Sequence, residues 1–259
     1  MTARTLTCQV IEVEDLTPDV FRVVLEGRPE AMAHAPGQYL EMCLEDGTWV
    51  PFSIASRHAD DGRLELHIQH WPERSNSAQL RQMLVVAEHL TVRLPGGDCV
   101  LDEASQRPLL LVAAGTGFAQ MKAVVEAALH ADPEREIALW WAAKERRDLY
   151  AESMARDWAA SSPRLCFHAV CEAGFEPGFN ADNVKGHHGR IDAALAHELD
   201  DIADCDVYLS GSPGMVYACV DVLASLGLDA GRVFSDVFSY APRDPLVPLV
   251  GSLVKESGA

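Results

Sequence analysis

The stretch Leu109-Leu110-Leu111-Val112-Ala113-Ala114-Gly115-Thr116-Gly117-Phe118-Ala119 decides the fold. Its first half is an uncharged apolar run, the pattern of a strand buried on both faces of a parallel sheet. It ends in Gly-Thr-Gly, after which Met121, Val124, Val125 and Leu129 recur at helical spacing. A strand that turns through glycines into a helix gathers bare backbone N–H groups and a positive dipole end at one point, which suits a phosphate. A side chain there would hold the phosphate away from the backbone. The third glycine of the G-x-G-x-x-G fingerprint is absent, so the ordinary dinucleotide fold is not the match. The same turn also serves as a purely structural connection, so its chemistry needs support from the rest of the chain.

Outward from this turn the two halves differ. Downstream, strands are predicted at Leu109–Ala113, Ile137–Ala142, Leu165–Val170, Asp206–Leu209 and Arg232–Ser235. Helices are predicted at Ala119–His130, Leu149–Ala160, Asp192–Glu198 and Pro213–Leu226, an α/β alternation. Pro177 to His188, rich in Gly and Asn, reads as a surface loop. Upstream, β-rich runs at Cys8–Val13, Val20–Leu25, Gln38–Leu44, Thr48–Ile54, Arg63–Gln69 and Leu90–Leu94 are separated by Gly, Pro and Asp turns. A short helix is predicted over Ser77–Met83, capped by Asn76 or Ser75. Repeated short strands of this kind predict a small closed barrel. The polar, proline-containing 102–108 reads as the linker. The expected fold is two-domain, β plus α/β. An N-terminal antiparallel Greek-key β-barrel spans 1–103, a parallel-sheet α/β nucleotide-binding domain spans 108–241, and a partly apolar tail spans 242–259.

With 39 acidic and 21 basic residues, the 259-residue chain has a net charge of −18. That excludes nucleic acid and anionic membrane surfaces as partners, since both need clustered Lys and Arg. A solvated acidic surface explains the charge more simply than a basic protein partner does. The N-terminal Met1–Thr7 has no apolar signal core and no segment is long enough to span a bilayer, so the expected location is the cytoplasm. The seven cysteines lack any C-x-x-C pair, which predicts buried reduced thiols and no iron–sulfur cluster. Ten histidines show no H-x-x-x-H or H-E-x-x-H spacing, and no metal site is expected.

Four motifs then agree in order and rough spacing: Pro36-Gly37-Gln38-Tyr39, Pro51-Phe52-Ser53-Ile54-Ala55-Ser56, Gly115-Thr116-Gly117-Phe118-Ala119 and Ser210-Gly211-Ser212-Pro213-Gly214-Met215. Together they resemble the ferredoxin–NADP reductase superfamily as far as about Tyr240. Within it, Ser235-Asp236-Val237-Phe238 is similar to a C-terminal segment of the NAD(P)H:flavin oxidoreductases. The resemblance implies FAD or FMN held at the strand edge Pro51, Phe52 and Ser53, with Ser53 hydrogen-bonding near flavin N5. Tyr39 either packs along the flavin ring or fills the barrel. Gly115, Thr116, Gly117 and Phe118 would receive the pyrophosphate of NADPH or NADH, and Lys144 the adenosine ribose or its 2′-phosphate. Arg146 and Arg147 would support a 2′-phosphate and Glu145 oppose it, which leaves the two nucleotides unresolved. Gly211, Ser212 and Pro213 would lie beside the nicotinamide. Asp236 and Phe238 would lie at the other flavin edge, Asp236 as a proton relay or as a capped turn.

Two departures stand out. Val50 occupies the position where relatives carry an arginine that contacts flavin or its phosphates, and valine supplies neither charge nor fork. His70 to Ser77 lacks the second phosphate-binding turn, with Arg74 as a stand-in charge. Weak flavin retention follows, which favours flavin as a dissociable substrate. The expected activity is hydride transfer from NAD(P)H to FMN, FAD or riboflavin, supplying an oxygenase or a ferric acceptor. The alternatives are a tightly FAD-bound reductase for a ferredoxin or oxygenase partner, and a non-catalytic relative. The tail either packs on a neighbour or covers the flavin site.

Overall fold

The computed structural model describes residues 2–70 and 75–243. Its first half holds β1 (Arg4–Thr17), β2 (Val20–Glu26), α1 (Pro29–Met32), β3 (Tyr39–Cys43), β4 (Trp49–Ser53), β5 (Arg63–Gln69), α2 (Ser75–Val86) and β6 (His89–Gly96). The strands run in the order β4-β3-β6-β1-β2-β5, all neighbours antiparallel. The long β1 pairs with β6 through its first half and with β2 through its second. The two edges then meet: Ile54 bridges Leu66, and the Ala55 amide donates to the Glu65 carbonyl at 2.7 Å. Closing the sheet removes both edges, which is the barrel the strand pattern predicts. Inward-facing Phe21, Leu25, Leu40, Met42, Leu64, Leu66 and Val92 fill it.

The second half holds β7 (Leu109–Ala114), α3 (Phe118–Ala131), β8 (Ile137–Ala143), α4 (Glu152–Ser161), β9 (Leu165–Cys171), β10 (Val184–His188), α5 (Ile191–Glu198), β11 (Asp206–Ser210), α6 (Pro213–Ala224), β12 (Val233–Phe234) and α7 (Val237–Tyr240). The strands form one parallel sheet, β10-β9-β8-β7-β11-β12. Successive residues on a strand face opposite ways. Trp141 therefore enters the core layer of Phe118, Met121 and Ala155, while Trp140 enters that of Ile191, Leu195 and Val216. The chain builds outward from β7 to β10, then returns to lay β11 on β7's other side. The order thus reverses between β7 and β11, where an open α/β sheet forms its ligand crevice.

β10 corrects the expectation of a loop from Pro177 to His188. Its glycine and histidines hide the strand pattern, and the glycine is required: a Cβ on Gly186 would lie 2.7 Å from Phe179 and 2.8 Å from Phe175. All seven cysteines are free thiols, four buried and three half-buried. Burial pushes the Cys8, Cys171 and Cys219 thiols up to about 12. Among the described residues no helix is long and apolar enough to cross a membrane. Ser75 and Asn76, expected as caps before a helix at Ser77, lie within α2 itself, and Arg74 and the tail beyond 243 lie outside what is described.

Candidate active site at the domain junction

β7 ends at Ala114, a single 3-10 turn covers Gly115–Gly117, and α3 begins at Phe118. Gly115 has φ +54°, and a Cβ placed on it would meet nothing within 4 Å, so the turn presents backbone to open space. A Cβ on Gly117 would lie 2.3 Å from the Ser210 carbonyl oxygen, because the ends of β7 and β11 converge here. The Trp141 indole N–H donates to the Gly115 carbonyl at 3.0 Å and holds the turn from beneath. Phe118 is fully buried and stacks on Trp141 at 3.9 Å. It props the turn from inside the core and faces no cleft, contrary to the expectation that it contacts a cofactor. The phase of α3 decides its direction.

Two clefts share the wall formed by Ala114, Gly115 and Thr116. The first, about 810 Å³, runs over the carboxyl ends of β8 and β9 past Lys144, Glu145, Arg147, Asp148 and Glu172. Lys144 is exposed in it. Arg146 does not line it: its ε nitrogen and one terminal nitrogen are held by Glu152, at 2.8 and 2.9 Å, and its guanidinium lies over Phe179. Arg147 pairs with Glu145 at 3.0 Å.

The second cleft, about 930 Å³, is lined from the barrel by Tyr39, Pro51, Phe52, Ser53 and His67, and from the α/β domain by Gln120, Gly211, Ser212 and Asp236. Tyr39 and Ser53 are register partners across β3 and β4, and Pro51 is accommodated on β4, whose outer neighbour is only the brief closure at Ile54. A Cβ on Gly96 or Gly97 would come within 2.5 or 2.9 Å of the Tyr39 ring, so these glycines let the ring lie close over the backbone. Tyr39 therefore lines the cleft instead of filling the barrel. Val50 is half-buried opposite Met42 and does not line it. Among the described residues no Lys or Arg lines this cleft, whereas Glu41, Asp98 and Asp236 do.

Asp236 begins α7, but its side chain makes no cap hydrogen bond. It accepts from the Gln120 amide at 2.8 Å. Burial raises its pKa above the usual carboxylate value, partly offset by the Gln120 hydrogen bond and by backbone hydrogen bonds at Cys99 and Asp98. Phe238 departs from expectation. In a strand it would share a face with Asp236, but α7 is a helical turn that rotates it toward Tyr217, 5.9 Å away. Ser239 and Tyr240 line the cleft in its place. Ser212 caps α6, its hydroxyl accepting from the Met215 amide at 3.4 Å. Pro213 occupies the first turn of α6 and lines neither cleft.

Sequence reasoning missed the seam that joins the clefts. His67 on β5 places Nδ1 3.0 Å from the Tyr150 hydroxyl and Nε2 2.6 Å from Glu65. Burial raises the Glu65 pKa, but the His67 hydrogen bond and the charges of Lys122, His67 and Arg22 outweigh it and hold the carboxyl at about 2. Lys122 on α3, 4 % exposed, donates to the Ala55 carbonyl and to Glu126, both at 2.8 Å. Gln120, also on α3, donates to the Gly37 carbonyl at 2.5 Å. The only local signal was Gln and Lys among the apolar residues of a core helix.

Comparison with known proteins agrees with this architecture. Residues 7–100 match the oxidoreductase FAD-binding domain and residues 111–221 the oxidoreductase NAD-binding domain. The chain is 34 % identical over 208 residues to reductase component 1 of terephthalate 1,2-dioxygenase from a Comamonas species. That match covers 80 % of this chain and 60 % of the longer Comamonas protein. It is 26 % identical over 243 residues to an NAD(P)H-flavin reductase of Aliivibrio fischeri, covering 91 % and 99 % of the two chains. The crystal structure of the Amycolatopsis cytochrome P450 reductase GcoB superposes with a TM-score of 0.78 at 26 % identity, covering 90 % of this chain and 69 % of that one. With a closed antiparallel barrel, a parallel sheet reversed at a glycine turn, and both domain models matched in order, the chain belongs to the ferredoxin–NADP reductase superfamily.

Proposed function

We propose that this chain is an NAD(P)H:flavin oxidoreductase that transfers a hydride to FMN, FAD or riboflavin. The observation that carries this reading is the wall of Ala114, Gly115 and Thr116 common to both clefts. A nucleotide anchored at the glycine turn would reach with its reactive end toward the cleft that Ser53 lines. The residues fit both groups. Gly115 opens bare backbone to solvent, as a pyrophosphate requires, and Tyr39, Pro51 and Ser53 offer an aromatic face beside a hydroxyl, as a flavin requires. A bound flavin supplies the hydride acceptor. The protein's part is positioning, since reacting atoms must approach to roughly 3–3.5 Å. In this reading Ser53 donates its hydroxyl hydrogen to the flavin edge, and Asp236, oriented by Gln120, holds a proton at its carboxyl.

Flavin as a dissociable substrate is favoured by Val50 and by the absence of Lys and Arg among the described residues of its cleft. Reduced flavin then leaves for an oxygenase or a ferric acceptor. The seven free thiols fit the reducing cytoplasm. A second reading, tightly bound FAD passing electrons to an oxygenase or ferredoxin partner, is favoured by the likeness to the Comamonas reductase component. Oxidation of NADH and NADPH with and without added FMN, FAD and riboflavin separates them. Turnover that requires added flavin supports the first, reduction of an artificial acceptor without added flavin supports the second, and no oxidation defeats both.

A further inference from the structure

NADPH differs from NADH by one group, the 2′-phosphate on the adenosine ribose, which carries close to two negative charges at neutral pH. We propose that this chain selects NADH, and that Glu172 and Glu145 at the far end of the nucleotide cleft are what turns the 2′-phosphate away. The inference rests on reading that cleft as the nucleotide site. With the pyrophosphate at Gly115–Gly117 and the nicotinamide directed to the wall shared with the flavin cleft, the adenosine half runs the other way, over the ends of β8 and β9. There it meets Lys144, Glu145, Arg147, Asp148 and Glu172.

The cations of this end are already engaged. Arg147 is paired with Glu145 at 3.0 Å. Arg146, which the sequence offers as a third cation, is drawn out of the cleft by its two-pronged contact with Glu152. Arg190, at the cleft's edge, is likewise forked onto Asp192, with both bonds at 3.0 Å. Lys144 alone, among the described cations lining the cleft, has no carboxylate within ion-pair distance. Against it stand the exposed Glu172 and the half-buried Asp148, the latter accepting from the Glu145 amide at 2.9 Å. Over the whole cleft five carboxylates (Asp19, Glu145, Asp148, Glu172 and Asp192) face three cations. Nucleotide sites that take a free ribose use a carboxylate to accept from its 2′-hydroxyl, whereas those that take a 2′-phosphate present an uncommitted arginine. This cleft has the carboxylates and lacks the free fork.

The test is kcat/KM for NADH and for NADPH at saturating FMN and low ionic strength. NADH should win by roughly tenfold or more, mostly through the KM of NADPH, and added salt should narrow the ratio. In Glu145→Gln/Glu172→Gln the amide at position 145 keeps an acceptor for the turn, while Arg147 loses its closer partner and keeps only the 3.9 Å contact with Asp148. The ratio should then move toward NADPH by roughly tenfold. A wild-type protein that uses NADPH as well as NADH overturns the inference, as does a folded double variant whose ratio does not move. If neither nucleotide is oxidised, the proposed activity fails, and calorimetric titration with NAD+ and NADP+ decides this point separately. Tighter NAD+ supports it and equal affinities overturn it.

Discussion

The Nδ1 atom of His67 on the barrel and the hydroxyl of Tyr150 in the α/β domain meet at 3.0 Å, and this contact closes the seam between the two clefts. Glu65, ionised at a pKa of about 2, accepts from the imidazole Nε2–H, which orients Nδ1 toward the tyrosine hydroxyl. Tyr150 also edges against Trp141 and Phe118, the residues that support the glycine turn. A barrel side chain thus reaches, through one hydrogen bond and one ring contact, the turn assigned to the nucleotide.

Tyr150→Phe keeps those ring contacts and removes the hydroxyl alone, leaving a buried imidazole nitrogen without its partner. The expected cost is about 1–3 kcal/mol of unfolding free energy, read by urea titration. An unchanged midpoint would assign the seam to packing.

Glu65 sets an acid limit on the junction. Its folded pKa of about 2 lies below the ordinary 4.5, so the stabilisation it gives is complete above 4.5 and is lost as pH falls toward 2. Thermal midpoints measured through this window should fall more steeply for the native protein than for Glu65→Gln. Parallel curves would show that Glu65 does not govern acid unfolding.

Gly117→Ala places a methyl carbon 2.3 Å from the Ser210 carbonyl oxygen, a backbone atom that cannot rotate aside. The β7 and β11 ends must separate, at about 1–3 kcal/mol, and the glycine turn moves with them. Nucleotide KM should rise roughly tenfold or more. A variant with native KM would detach the turn from nucleotide binding.

Ser53→Ala should slow flavin reduction by roughly tenfold to a hundredfold at saturating nucleotide while leaving nucleotide affinity intact, since Ser53 lines only the flavin cleft. Asp236→Asn should slow it too, and should flatten the fall in rate as pH rises through the raised carboxyl pKa, because that is where the proton is lost. A native rate in either variant removes that residue from the proposed chemistry.

Much of this was legible in the chain because it is written locally. The uncharged run into Gly115-Thr116-Gly117, and the alternation of Arg63–Gln69, each need only neighbouring residues to be read. What escaped depends on direction or distance. Phe118 and Phe238 follow the right motifs but point into the cores, since one helix phase decides each. β10 was hidden because Gly186 is dictated by Phe175 and Phe179 on another segment. His67 and Tyr150 stand 83 positions apart, and no pattern along the chain couples them.

On the barrel's side of the α3 joint two partners are peptide carbonyls, with Lys122 ending on that of Ala55 and Gln120 on that of Gly37, and the Glu65 carboxylate adds a side chain 3.4 Å from Lys122. A carbonyl is the same whatever side chain its residue carries. Substitution in the barrel is therefore tolerated at these docking points so long as the main-chain path is kept. Such a joint is portable. A barrel from a relative that keeps this loop path and the Glu65 and His67 side chains should seat on this α3, so the FAD-binding-type half can be exchanged without redesigning the NAD-binding-type half.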